Sequence, residues 1–450
     1  MAANTLTDVA RNVGLSGMMR LAGLATRLLP IPQPTMMVGP GASERLGQAI
    51  NDFGHRKILI VTDATMVRLG LMLPLTQALT AGGTEFVVFD QISPDAPIDE
   101  IEEGVALFNA EGCDAIVAFG GGSVMDAAKV IGLSAANNKH PLRLVGYFKG
   151  LHAPAPLYAV PTTAGTGSEV TVAAVVSDPL SQRKLVIADT RIVPIMAALD
   201  PSLMTGLPAH ITASTGMDAL THAIEAFIGH WGTAFTDRMA LTSVGMIYQN
   251  LPIAYASGDD LMARERMALA ASYAGQAFTR ANVGYVHAIA HQFGGLYHTP
   301  HGLANAIMLP HVLRFLSPAI TAKLAVLAQH ARLGKASESS ADLASRFLDS
   351  IDAMNKRLGI PRHLAALRVK DIPALARAAC REANLNYPVP SYLSQQDCEE
   401  VIREALPRRQ RRGKEHSRRP ASWQRSRRSS DSVVERQEFP SRKTSSFKAG

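Results

Sequence analysis

Residues 114–132 read "DAIVAFGGGSVMDAAKVIG". A continuous apolar run leads into Gly120, Gly121, Gly122 and Ser123, and a helical pattern starts at once. A strand that is apolar at every position is buried on both faces, as in a parallel sheet covered by helices. The glycines let backbone approach a ligand closely. The helix start offers free N–H groups and the positive end of a dipole, which suit a pyrophosphate. The spacing is not GxGxxG, so the usual dinucleotide fingerprint is absent, and a plain tight turn stays open as the alternative.

Outward from this unit the pattern repeats. "KILIVTDAT" (57–65), "EFVVFD" (85–90) and "PLYAVPTTAGTGSE" (156–169) begin as further apolar strands. Between them "PIDEIEEGVALFNAEG" (97–112) places Ile98, Ile101, Val105 and Phe108 at helical spacing. Alternating strands and helices predict an α/β N-terminal nucleotide-binding domain with a mostly parallel sheet. "VTVAAVVSDPLSQRKLVIAD" (170–189) reads instead as a hairpin-like insertion. After about residue 203 the strand signal fades into long Ala/Leu/Met-rich helical runs, from "ITASTGMDALTHAIEAFIGHW" to "SPAITAKLAVLAQHARLG". The expected organisation is an N-terminal extension (1–32), an α/β dinucleotide-binding domain (33–203), an all-α C-terminal metal-binding domain (204–406) and a basic Arg/Ser-rich tail (407–450).

The chain has 450 residues and is 47% hydrophobic, enough for the cores of two or three domains. No run of eighteen apolar residues escapes charge, so no membrane span is expected. Cys113, Cys380 and Cys398 form neither a disulfide framework nor a CxxC motif, which fits a cytoplasmic protein. The net charge of +7 is misleading, because residues 407–450 carry fourteen Lys+Arg against four Asp+Glu, leaving about −3 for the rest. That tail is too poor in aliphatics to order itself and reads as disordered, with nucleic-acid binding through it a distant alternative. The extension, with Arg11, Arg20 and Arg27 against Asp8, reads as a short amphipathic helix on the body or in an oligomer interface, although a transit peptide looks similar.

The loop "PTTAGTGSE" (161–169) offers the hydroxyls of Thr162, Thr163, Thr166 and Ser168 after a second buried strand. Two such loops at strand C-termini line one crevice, where α/β sheets bind nucleotides. Asp63 closes "ILIVTD". It can accept hydrogen bonds from ribose hydroxyls, favouring NAD over NADP, or can simply cap the next helix. Asp126 and Lys184 complete the expected cofactor residues. In the helical half, "GMDALTHAIEAF" (216–227) sets Asp218 and His222 four apart on one helix face. "NVGYVHAIAHQFGGLYHTPHG" (282–302) repeats that geometry with His287 and His291 and adds His298 and His301. One Asp and three His from separate helices can converge on iron or zinc, and spacing alone does not choose between them.

Taken together, "GGGSVMDAAK", "PTTAGTGSEVT", "GMDALTHAIEAF" and "VHAIAHQFGGLYHTPHGLANAIMLPH" resemble the iron-containing (group III) alcohol dehydrogenase family over about residues 33–406. The resemblance implies metal ligation by Asp218, His222, His287 and His301, with His291 beside the metal as a proton-relay residue. His298 and His311 match no family ligand. It also implies Fe(2+), with Zn(2+) possible, NAD as hydride acceptor, and a homodimer or higher homo-oligomer. The implied reaction moves a hydride between a small primary alcohol or aldehyde and NAD. A hydroxyacid–oxoacid transhydrogenase with tightly bound NAD keeps the same motifs and stays as the alternative. A lyase of the dehydroquinate synthase type is argued against by the intact DxxxH…HxxxH…PHG pattern. Phe227, Ile228, Trp231, Phe293, Leu296 and Tyr297 are the expected cleft wall. Their segments supply no Arg or Lys, which favours an apolar substrate with one hydroxyl.

Overall fold

The computed structural model describes residues 28–407 apart from 182, together with Gly17, Met19, Gly23 and Leu24. Residues 408–450, expected to be disordered, and most of the N-terminal extension lie outside the described residues.

The N-terminal half runs β1 (Thr35–Val38), α1 (Ala42–Asp52), β2 (Lys57–Val61), α2 (Ala64–Arg68), α3 (Leu73–Ala81), β3 (Glu85–Phe89), α4 (Ile98–Ala110), β4 (Ala115–Gly120) and α5 (Gly122–Asn137). It continues through β5 (Gly146–Tyr147), β6 (Leu157–Pro161), β7 (Ala173–Asp178), β8 (Arg183–Ala188) and β9 (Met196–Leu199). Six strands form one parallel sheet in the order β1-β9-β6-β4-β2-β3. Alternate residues feed different cores. Leu59, Val61, Ile116 and Ala118 meet α4 and α5, while Ile58, Ile60, Val117 and Phe119 meet α1 and α3. This is why these strands are apolar throughout. The strand order reverses between β2 and β4, and α/β sheets bind ligands at such a switch point. β7 and β8 pair antiparallel as the expected hairpin, and β5 joins β8 in a separate three-stranded sheet.

The C-terminal half is helical among its described residues: α6 (Ala209–Ile228), α7 (Ala234–Ala256), α8 (Leu261–Ala281), α9 (Tyr285–Tyr297), α10 (His301–His330), α11 (Ser340–Arg357), α12 (Ile372–Asn386) and α13 (Gln395–Arg403), around one large apolar core. The helical pattern expected to begin near Ser317 belongs to α10, which starts at His301 and passes through Pro310 and Pro318. Each proline leaves the carbonyl four residues back without its helical donor. Asn355 Nδ2 donates to the freed Ala306 carbonyl at 2.7 Å, and Ser317 Oγ donates to that of Arg314 at 2.8 Å. Length and hydropathy alone would let α10 cross a membrane, but half of its apolar window is buried in the protein, as befits a core helix.

Candidate active site

The histidine cluster is built by three helices. α6 presents Asp218, His222 and Glu225 on one buried face, α9 presents His287 and His291, and His301 opens α10. Asp218, His222, His287 and His301 each bring one ligand-capable atom to within 4.8 Å of all the others. Two close backbone approaches make this possible. A Cβ on Gly302 would collide with the Ser214 carbonyl oxygen and come within 3.3 Å of Asp218 Cβ. A Cβ on Gly284 would lie 2.8 Å from Glu225 Oε1.

The donor set fits a divalent transition metal. His222 Nδ1 and His287 Nε2 are buried and make no hydrogen bond, a costly state for polar nitrogens unless they ligate. Burial pushes His222 down to about 3, against the opposing pull of Asp218, and holds His287 and His301 well below the usual imidazole range. The rings are therefore neutral at pH 7, the form that binds metal. Asp218 Oδ1 lies 3.5 Å from His301 Nε2 and accepts from Asn305 Nδ2 at 2.7 Å.

Glu225 orients this set and was missed by the sequence reading. Its Oε2 faces His287 Nδ1 at 2.6 Å and accepts Gly284 N–H at 2.9 Å, while Oε1 accepts Val286 N–H at 2.7 Å. A carboxylate fixing the far nitrogen of a ligating histidine is the usual outer-shell arrangement. The signal was readable, because Glu225 follows His222 by three residues on the same helix face. His291 stacks on His301, with ring centroids 5.3 Å apart at 18°. His298 is instead the left-handed C-cap of α9 (φ 52°), and His311 lies buried within α10.

At the C-terminal ends of β2, β4 and β6 lie Asp63, Gly120–Gly122 and Thr162–Ser168. α5 begins after Gly121 with no side-chain cap, so its first-turn donors are unclaimed by a capping side chain. A Cβ on Gly122 would meet Thr166 Cγ2 at 2.5 Å, whereas one on Gly121 would make ordinary contact with Thr163. Asp63 is a helix cap: its Oδ1 accepts from Thr65 N–H at 2.8 Å and Met66 N–H at 3.2 Å. Ser123 Oγ accepts from Asp95 N–H at 2.9 Å.

Asp126 and Ser168 are engaged with each other beneath the loops. Lys129, fully buried, donates to Ser168 Oγ, Thr171 Oγ1 and the Ala173 carbonyl at 2.7, 2.9 and 2.8 Å. Ser168 Oγ donates to Asp126 Oδ1 at 2.7 Å, and Asp126 Oδ2 accepts Val175 N–H at 2.8 Å. One ammonium thus joins α5, the second loop and the hairpin. Burial pushes Lys129 down to about 8, while Asp126 and Glu169 pull the other way.

Three residues of the expected cleft wall are corrected, while Leu296 is exposed as expected of a surface lining. Phe227, Ile228 and Phe293 belong to the helical core, Trp231 donates to the Met19 carbonyl at 2.8 Å, and Tyr297 donates to Asp371 at 2.8 Å. A helical face read as cleft-facing is here the face packed inward. Phe278 is the aromatic ring that meets the cluster, stacked on His222 at 4.2 Å. A cation also approaches from the hairpin. Lys184 Nζ would lie 3.3 Å from a Cβ on Gly294, but it is paired with Asp95 Oδ1 at 2.7 Å.

A sequence model of the iron-containing alcohol dehydrogenases matches residues 33–201, and the C-terminal model of the Fe-containing alcohol dehydrogenase family matches residues 212–406. The chain is 38% identical over 383 residues to an NAD-dependent methanol dehydrogenase of Bacillus methanolicus, covering 83% of this chain and 98% of that one. It is 39% identical over 372 residues to a 1,3-propanediol dehydrogenase of Klebsiella pneumoniae, covering 82% and 96%. The crystal structure of a 1,3-propanediol oxidoreductase superposes with a TM-score of 0.81 at 37% identity, covering 84% of this chain and all of that one. An alcohol dehydrogenase from Oenococcus oeni superposes with a TM-score of 0.81 at 31% identity, covering 84% and 99%. With its parallel sheet, its helical histidine site and these matches across both halves, the chain belongs to the iron-containing alcohol dehydrogenase family and is an NAD-dependent oxidoreductase of alcohols.

Proposed function

We propose that this enzyme interconverts a small primary alcohol and its aldehyde on a metal held by Asp218, His222, His287 and His301. The observation that carries the reading is the convergence of these four groups with two buried, unpartnered imidazole nitrogens among them. The metal, Fe(2+) or Zn(2+), supplies Lewis acidity that lowers the pKa of the substrate hydroxyl. Asp218 and the three neutral imidazoles hold it, and Glu225 fixes His287 in the tautomer that leaves Nε2 free. His291 takes the hydroxyl proton, and bound NAD would supply the hydride-accepting chemistry, with the protein supplying its orientation. The uncapped start of α5 and the hydroxyls of Thr162, Thr163 and Thr166 receive the pyrophosphate side of the cofactor. Asp126, Ser168 and Lys129 hold those loops in place from beneath.

Lys184 is already matched by Asp95, so it is no ready partner for a substrate carboxylate. This supports the alcohol reading over the transhydrogenase one. We also read the chain as a cofactor domain (33–203) and a metal domain (204–406) with terminal additions, and as a cytoplasmic homodimer or higher homo-oligomer. Its three free thiols suit a reducing compartment.

The test combines metal analysis with kinetics. His222→Ala and His301→Ala should each lose the metal while staying folded. His291→Ala should keep it and lose roughly tenfold or more in kcat. Full metal content in both ligand variants would refute the site. Comparing kcat/KM for 1-butanol, 1,2-propanediol and 4-hydroxybutyrate tests the substrate, and a clear preference for 4-hydroxybutyrate would refute an uncharged alcohol.

A further inference from the structure

A hydroxyl proton released in a buried cleft must reach water, and a histidine moves it efficiently only when held in one tautomer. We propose that Glu382 is the positioning residue for that step: it holds His291 with the proton on Nδ1, leaving Nε2 as the acceptor, and stabilises the imidazolium that forms. The proposal rests on the reading of His291 given above.

Glu382 comes from α12, ninety-one residues away in sequence, and belongs to none of the motif segments. Its Oε1 lies 2.6 Å from His291 Nδ1 and also accepts the Tyr387 hydroxyl at 2.6 Å. Its Oε2 accepts Gln292 Nε2 at 2.9 Å. The carboxylate is thus clamped on both oxygens. With the Tyr387 hydroxyl donating to one oxygen and the Gln292 amide to the other, both Glu382 oxygens act as acceptors. An ionised carboxylate only accepts hydrogen bonds, so the nitrogen facing it must carry hydrogen. That assigns the His291 lone pair to Nε2, in the logic by which a buried acid orients a catalytic histidine. The side chains of His291 and Glu382 are 11% and 24% exposed, so the pair runs from a ring stacked on His301 towards solvent. During turnover the hydroxyl O–H bond breaks and the proton moves to Nε2. The Nδ1–H bond to Glu382 stays intact, and the proton later passes from Nε2 to water.

The test uses full-length, metal-loaded Glu382→Gln, Glu382→Asp and His291→Ala. With Gln, the amide can donate to Nδ1, which moves the ring proton to Nε2 and removes the acceptor. We expect kcat to fall at least tenfold with KM for NAD within about twofold, metal content unchanged, a larger solvent deuterium effect, and partial recovery with Asp. Zinc-loaded protein carrying 15N-histidine gives a readout independent of turnover: the His291 proton sits on Nδ1 in the wild type and leaves it in Glu382→Gln. Tyr387→Phe, which removes one clamp, should shift kcat in the same direction by less and serves if Glu382→Gln does not fold. Wild-type kcat and tautomer in Glu382→Gln, beside a slow His291→Ala, would overturn this inference while leaving the His291 reading intact. Loss of metal in Glu382→Gln would assign the residue to the metal site and also overturn it. A fast His291→Ala would remove the reading on which it rests.

Discussion

Glu225→Gln changes one atom at the base of the proposed metal site, and the cost can be worked out from its three contacts. The native carboxylate accepts Gly284 N–H and His287 Nδ1–H on Oε2 and Val286 N–H on Oε1. A glutamine keeps one accepting oxygen. If that oxygen takes the Oε2 place, the new NH2 group confronts Val286 N–H, and two buried donors are left unpaired. If it takes the Oε1 place, NH2 can donate to His287 Nδ1 and Gly284 N–H alone is unpaired. The second arrangement costs less in the metal-free protein. It also moves the His287 proton onto Nε2, the orphaned nitrogen offered to the metal. Binding metal then requires a return to the first arrangement, at the expense of one further buried donor, about 1–3 kcal/mol. That corresponds to roughly a tenfold to hundredfold loss of affinity, the range seen when partners of metal-bound histidines are changed. Titrating apo-protein with zinc against a competing chelator measures it, with circular dichroism and NADH binding as controls on the fold. Wild-type zinc affinity in a folded variant would refute both the tautomer argument and the ligand role of His287.

Three further outcomes are expected. Asp63→Gly should improve NADP use relative to NAD, with only a few tenths of a kcal/mol lost from the cap, since glycine is tolerated there; a wild type that already prefers NADP would refute it. Gly122→Val should raise KM for NAD while metal content stays normal, because its side chain would drive into Thr166; an unchanged KM would return the GGGS turn to a purely structural role. Burial pushes Glu169 up to about 7 from 4.5. The folded protein therefore keeps a proton that the unfolded chain has released between those values, and stability falls as pH rises through that window. Glu169→Gln should flatten this slope in urea midpoints taken between pH 5 and 8, and an unaltered slope would refute the assignment.

The sheet was legible where strands are apolar at every position, as in β2, β4 and β6. β1 and β9 escaped notice because "TMMV" and "MAAL" are four residues long and mostly Met and Ala, which read equally well as helix. α10 was read short because Pro310 and Pro318 are breakers in a sequence, and the groups that repair them, Asn355 and Ser317, act through contacts a sequence does not display. That Asp218, His222, His287 and His301 lie together was legible from the two i,i+4 pairs and from the family resemblance, which alone chose His287 over His291. Glu382 was not, since the pairing of α9 with α12 is a matter of packing. The cleft wall was misread for a related reason: an apolar helical face looks the same whether it meets substrate or core.

The bare approach of Gly302 to the Ser214 carbonyl has a kinetic consequence. It sets the start of α10, and the His301 backbone with it, against the first third of α6, so the backbone separation at the site is fixed by helix packing. The His301 backbone therefore moves only with a thirty-residue core helix, while its ring still turns about its own side-chain bonds. In the proposed metal site the backbone frame is therefore set by folding, before any ion arrives. Exchange of one metal for another in the proposed site is then expected to turn on rotation of the ligand side chains rather than on movement of helices.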